Sequence, residues 1–559
     1  MLTDVGGLLT FSHVLVAEAL ADEVNSIRRA SIHAAAARAM AERDPEFGVN
    51  AAVIAYHAVE GILAGTGELA IDASIRAARL ASEQLAHQDA ALHWSRAADA
   101  FERVRPTDRM GRIDALVAQA EALLRADMVI AAKSPIIDAI DLASVAGLPE
   151  QMIRAALLVN HEHVWANEPY GVIDIRLVDT LERTLSRVAD DDQRRPLLLS
   201  ALAAELAFAD ADRHRAVSSQ AEVAARATGS PTTLATALNA ITVPCRPTEV
   251  DLRRARAIEI LKLSTRHRLG AAQVFAAHYH LAETHMERAD FEAAAAEIGE
   301  ARRAVDASAD ERLRSQLVGF ESGIALARGQ YAVAGRLMEQ ARDLHRRGRR
   351  YDGDVVDFVN FAAPAIDRGD LEALIPYAAL AHESDGYGRG IAEVLAFAML
   401  ELGRRDLAVT LVEPYDAGQD FPDDYAMLAC LTGALHVRVE LGDREGAASI
   451  ADKLEPFPHR WASAGTTPLS MGVTDLALAR NASLRGAVDD ARRRFDDAIA
   501  LTSAAGAEPW LARGLVHRAR FLHETGDAGR AHDDIAHARR LARRHGLVYV
   551  ERRLDLLGD

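Results

Sequence analysis

Residues 508–545 read EPWLARGLVHRARFLHETGDAGRAHDDIAHARRLARRH, and this stretch decides the fold. Before Gly526, apolar residues recur every three or four positions at Leu511, Leu515, Ala519 and Leu522; after it they recur at Ala528, Ala531, Ile535, Ala538 and Ala542. That spacing lays one apolar stripe along each of two helices. Gly526 tolerates the left-handed backbone that ends a helix, and Asp527 offers a carboxylate to the unpaired N–H groups that begin the next. The product is a helical hairpin whose two stripes cannot both be buried by one hairpin alone.

The same hinge recurs at Ala289-Asp290, Gly329-Gln330, Gly369-Asp370, Gly403-Arg404, Gly442-Asp443 and Gly486-Ala487, with spacings of 40, 40, 34, 39 and 44 residues, then 40 more to Gly526. Units near this length bury their stripes by stacking on their neighbours. The expected fold is therefore all-α, with tetratricopeptide-like helical-hairpin repeats stacked in a right-handed superhelical solenoid; the HEAT class overlaps it in repeat length. Residues 106–559 form the expected solenoid, behind a helical connector at 41–105. Ser134 and Pro135 read as the N-cap and first residue of a helix, and 243–247, 384–390 and 455–468 as loops. The last of these is the longest irregular stretch in the second half of the chain.

Composition agrees with helix. Hydrophobic residues make up 50% of the chain but aromatic residues only 5%, so the apolar mass is mostly Ala and Leu. With 64 basic against 82 acidic residues the net charge is −18, which argues against a nucleic-acid surface over much of the chain. Two cysteines far apart, Cys245 and Cys430, suit a reducing compartment, with the cytoplasm as the default. No secretory leader and no run of 18 uncharged apolar residues is legible.

Several stretches together resemble a known family. Residues 484–491, then Phe495, Ala498, Gly506 to Trp510 and Arg520 to Asp527, are similar to the C-terminal repeats of actinobacterial LuxR-type ATP-binding transcription regulators and cyclase-linked ATPases. Phe11, His13 and Glu18, followed by Arg28-Arg29 and His33, resemble the helical or winged-helix segment that closes that family's ATPase module, so 1–40 reads as its remnant. Residues 77–97 resemble its first repeat-like helices. The departures are as informative: there is no Gly-Lys pair, hence no P-loop, and no helix-turn-helix follows the last repeat. The resemblance implies a sensor arm without cofactor, one that binds a partner protein or a small-molecule inducer and touches neither nucleic acid nor membrane. A free-standing adaptor, or an enzyme of unrecognised type, are the alternatives. Apolar residues between Leu8 and Leu20 are expected to be exposed where the ATPase module would cover them.

No local pattern signals catalysis or a metal. His161 and His163 are two apart, so on a helix they point away from each other; His278, His280 and His285 spread over two turns. Asp190 to Asp192 and Asp423-Asp424 read as solvated loops or caps, Cys245 as a packed thiol, and the arginine groups at 346–350, 492–494 and 539–544 as mixed-charge helix faces. The concave groove of the solenoid is the expected binding surface. Trp165, Tyr170, Tyr279 and Trp461 are its candidate aromatic contacts, with core filling as the competing role.

Overall fold

A computed structural model describes residues 2–5, 8–11, 24–48, 50–159, 172–308, 311–347, 353–370, 373–374, 377, 388–465 and 469–557. The chain divides into two compact units, one of residues 1–160 with 175–190, the other of 161–174 with 191–559.

The first unit opens with an antiparallel hairpin of β1 (Leu2–Val5) and β2 (Leu8–Phe11). Helices α1 (Ser26–Arg43), α2 (Ala51–Glu60), α3 (Gly67–Glu83), α4 (His87–Val104), α5 (Arg109–Arg125), α6 (Val129–Ala146), α7 (Pro149–Ala156) and α8 (Ile175–Leu185) follow. Consecutive helices pack side by side from α1 to α7. Phe11 thus sits in a strand; His13 and Glu18, and most of the Leu8–Leu20 stretch, lie outside the described residues. The expected helix start at Ser134 and Pro135 needs correcting. Helix α6 begins at Val129 and carries Pro135 in its interior. The proline ring is buried there, and that packing offsets the one backbone bond it forfeits.

The second unit contains α9 (Arg195–Leu206), α10 (Ala211–Thr228), α11 (Pro231–Thr242), α12 (Val250–His267), α13 (Ala271–Glu287), α14 (Phe291–Ser308), α15 (Glu311–Ala327), α16 (Tyr331–Arg347) and α17 (Gly353–Arg368). It continues through α18 (Gly388–Glu401), α19 (Arg405–Val412), α20 (Met427–Leu441), α21 (Arg444–Leu454), α22 (Thr474–Arg485), α23 (Val488–Ala504), α24 (Glu508–Glu524), α25 (Ala528–His545) and α26 (Val548–Leu557). The hinges behave as their sequence dictates. Ala289, Gly329, Gly369, Gly403, Gly442, Gly486 and Gly526 all have positive φ, between 59° and 87°. Asp290, Asp443 and Asp527 each cap the following helix, accepting from the N–H three residues on.

The hairpins form an outer and an inner layer. Outer helices such as α25 bury one narrow stripe that includes Ala531, Ala538, Leu541 and Ala542. The inner helices α18, α20, α22 and α24 touch one another in succession and are buried nearly all round. In α20 the residues Met427 to Ala429 and Leu431 to Arg438 are all buried. A helix with no wet face belongs to a core, and each fully buried Leu there contributes roughly 2 kcal/mol.

The stretch 455–468 is not merely a loop. Trp461–Ser463 forms β3, which pairs antiparallel with β4 (Ser470–Val473), Trp461 facing Val473 and Ser463 facing Ser470. Pro456 and Pro458 precede β3. Gly472 has φ of 76°, and a Cβ there would lie 2.4 Å from the Trp510 ring, so only glycine lets β4 press against α24.

Candidate binding centre

Residues far apart in sequence meet across the second unit. Arg215 Nη2 lies 2.8 Å from Asp423, 208 residues away, and Thr248 donates to the same carboxylate at 2.7 Å. The rings of Phe208 and Tyr425 stand 5.2 Å apart, and those of Phe291 and Trp461 4.9 Å. His545 Nδ1 is 3.2 Å from the carbonyl of Gly329, 216 residues earlier. With hairpins of some 40 residues, offsets of 175 to 216 residues bring together segments four to five hairpins apart. Successive turns of the superhelix touch, and the inner layer is sealed between them.

At the centre of that seal is Arg513 on α24, with only 4% of its side chain exposed. Its Nη2 pairs with Asp367 of α17 and its Nε stands 3.4 Å from Glu401 of α18. The guanidinium lies 4.8 Å from the Trp510 ring and 5.1 Å from that of Tyr549. Tyr331 donates its hydroxyl to the other oxygen of Asp367. Beside this group, Arg480 donates to His436 Nδ1 at 2.8 Å and to Glu440 at 2.6 Å, and Arg553 pairs with Glu440 at 2.7 Å. Phe397 and His436 stack on Trp510, with centroids 6.1 and 6.0 Å away.

Burial governs the protonation of this centre. It pushes the Glu401 carboxyl up to about 7 even though Arg513, Arg553 and Arg480 favour its charge. It drives His436 and His517 well below the ordinary imidazole value, helped in both cases by the Arg480 charge. Neutral His436 then accepts from Arg480, and His517 Nε2 shares a proton with the Tyr549 hydroxyl at 2.9 Å. A cavity of about 20 Å³ lined by Asp367, Phe397, Met471, Trp510 and Arg513 is the size of a single water molecule. The carboxylates, arginines and imidazoles here are committed to one another, so their chemistry is cohesion between turns.

Trp165, Tyr170, His161 and His163 lie outside the described residues. Tyr279 and Trp461 are 1% and 0% exposed. Tyr279 stacks on Phe275 and meets Phe320 edge-on, so both aromatics fill the core and neither faces a groove. His278 contacts Glu297 at 2.7 Å, while His280 contacts Glu283 and Asn239, so the two do not converge. Cys245 is buried and accepts from Arg253 at 2.7 Å, and burial pushes its thiol up. Asp192 pairs with Arg194, which holds its carboxyl at about 2. Arg494 pairs with Asp490 and Glu455, and Arg544 with Glu508.

One aromatic that the sequence reading passed over does face outward. Tyr56 on α2, in the first unit, is 44% exposed. Its ring lies 5.5 Å from that of His33 on α1, 5.2 Å from His57 and 6.0 Å from the Arg96 guanidinium on α4. The Nδ1 atoms of His33 and His57 share a proton at 2.9 Å. Burial and the His33 charge hold His57 below the ordinary imidazole value. Val53, one turn before Tyr56, and Leu92, one turn before Arg96, are 44% and 50% exposed. A lone Tyr in a ten-residue helix carries no sequence signal; only the packing of α1, α2 and α4 gathers these groups.

No family model matches the chain, and no curated protein matches it. Among solved structures it is similar to the crystal structure of yeast Tom70, at 10% identity over 80% of this chain and 96% of that chain, with a TM-score of 0.20. At so loose a superposition, the repeat architecture rests on the hinges and contacts described above.

Proposed function

We propose that the chain is a non-catalytic interaction scaffold that engages a protein partner through the Tyr56 face of its first unit. The carrying observation is a half-exposed, rigid aromatic set among imidazoles and a guanidinium, with apolar Val53 and Leu92 on the same helix faces. Tyrosine in such a setting supplies contact area at small entropic cost and pairs well with polar rims. In the second unit Arg513 pairs with Asp367 and Glu401 far away in sequence, while Arg438 with Glu393 and Arg480 with Glu440 join neighbouring inner helices, which suits a rigid frame better than a reacting centre. A regulator's sensor arm is the finer form of this proposal; it is supported by the ordered resemblance of 11–97 and 484–527 to ATPase-linked regulators. An in-frame P-loop coding stretch upstream would favour that form, and its absence a free-standing adaptor.

The test is cross-linking mass spectrometry of the intact chain in cell extract, comparing wild type with Tyr56→Ala and Leu92→Asp. Both positions are exposed, so the melting temperature should be unchanged while cross-links at α1, α2 and α4 are lost. Cross-links that survive both substitutions, or turnover of a substrate by the purified chain, would overturn the proposal.

A further inference from the structure

The segment leading into β3 meets two helices at a point where three metal-binding side chains converge. His459, Asp475 of α22 and Asp497 of α23 each place one ligand atom so that all three lie within 4.8 Å of one another. His459 Nδ1 is 3.2 Å from Asp475 Oδ1, and the His459 N–H donates to Asp475 Oδ2 at 2.8 Å. Donors about 2.1 Å from a common ion stand roughly 3.0–3.4 Å apart, so the first pair is already at coordination spacing.

Charge makes the convergence unusual. Asp475 is 1% exposed, and among the described residues its one ion-pair partner is the imidazole of His459. Facing it is a second carboxylate, Asp497, whose own cation, Arg493, is 3.7 Å away on an exposed side chain. Burial raises the Asp475 carboxyl, and the Asp497 charge adds to the rise. A buried carboxylate faced by a second carboxylate and an imidazole nitrogen is a donor set that a divalent cation binds. The side chains of His459 and Asp497 are 53% and 37% exposed. Bringing Asp497 to coordination spacing requires these exposed side chains to turn toward Asp475.

We infer that His459, Asp475 and Asp497 form a binding site for a divalent first-row transition metal, with Zn²⁺ the best match to one imidazole and two carboxylates. The ion ties the entrance of the β3–β4 hairpin to α22 and α23, two residues from Trp461, and so holds the hairpin in the core. The inference is independent of the Tyr56 proposal. Sequence spacing gave no hint of it, because 16 and 22 residues separate successive ligands.

The experiment titrates the full-length, metal-stripped chain with Zn²⁺ by calorimetry, and with Co²⁺ by visible absorption. One ion should bind per chain at this site, with a Co²⁺ d–d spectrum characteristic of nitrogen and oxygen ligands. His459→Ala and Asp497→Asn, both at exposed side chains, should each weaken that binding by about tenfold or more while leaving the metal-free melting temperature within error of wild type. At equal concentration Zn²⁺ should also raise the melting temperature of wild type more than that of either variant. Unchanged affinity in both variants, or Zn²⁺ binding with no effect on wild-type melting, would overturn the inference.

Discussion

Replacing Arg513 by Met keeps most of the side chain's length and removes its charge from the middle of the seal. Asp367 and Glu401 then lose the cation they share, at a position where the arginine is 4% exposed and solvent screening is minor. Removing one partner of a buried ion pair costs about 3–5 kcal/mol, because the remaining charge stays desolvated. In a unit of this size that corresponds to a fall in melting temperature of roughly 6–10 °C, at about 2 °C per kcal/mol. Glu401 already sits at about 7, so it relieves part of the loss by taking up a proton; Asp367 keeps the Tyr331 hydroxyl. The double variant Arg513→Met with Glu401→Gln should therefore melt higher than the sum of the single effects predicts, with a coupling of at least about 0.5 kcal/mol. Scanning calorimetry of the four proteins at pH 7.5 measures this. A single-variant shift under about 1 °C would refute the idea that Arg513 binds the turns together.

Three further outcomes follow from the same contacts. Glu401 binds its proton more tightly folded than unfolded, so its contribution is greatest below about 4.5 and is lost as pH rises through 7; in chemical denaturation, Glu401→Gln should abolish that part of the decline between pH 5 and 8. His214 runs the opposite way: it is held down to about 3 by burial and then by Arg246, so its contribution is present above pH 6.5 and lost as pH falls towards 3, and His214→Gln should flatten the acid limb of the same profile. Trp461→Ala empties a fully buried site against Phe291 and should cost about 3–5 kcal/mol, while Gly472→Ala forces a Cβ onto Trp510 in a left-handed backbone and should cost about 1–3 kcal/mol; limited proteolysis should cut first within 455–473 in both, and cleavage elsewhere would count against the hairpin's place in the core.

The hairpin repeat was legible because its signals are local. A glycine or alanine followed by a polar cap, with apolar spacing of three and four on either side, dictates a bend between two helices wherever it occurs. Ser134-Pro135 misled for the same reason: it imitates a helix start, and only the packing of α6 shows why the helix runs through it. The closure of the second unit was not legible. Asp367, Glu401 and Arg513 look like any exposed charges on amphipathic helices, and nothing local says that 146 residues of chain return Arg513 to Asp367. Tyr279 and Trp461 are large and rare, but size serves a core as well as a groove, and both are buried. Tyr56 was invisible because its role depends on three helices at once.

The central claim is that successive turns of the second unit touch and seal its inner layer. Asp212 and Asp420 have side chains 98% and 87% exposed and flank the Arg215 to Asp423 contact on either turn. Spin labels at Asp212→Cys and Asp420→Cys, with buried Cys245 left intact and Cys430 replaced by Ala, report the distance across the seal by pulsed electron resonance. A single narrow distribution at short distance is predicted. A broad distribution centred at long distance, as in a solenoid whose turns stand apart, would contradict it.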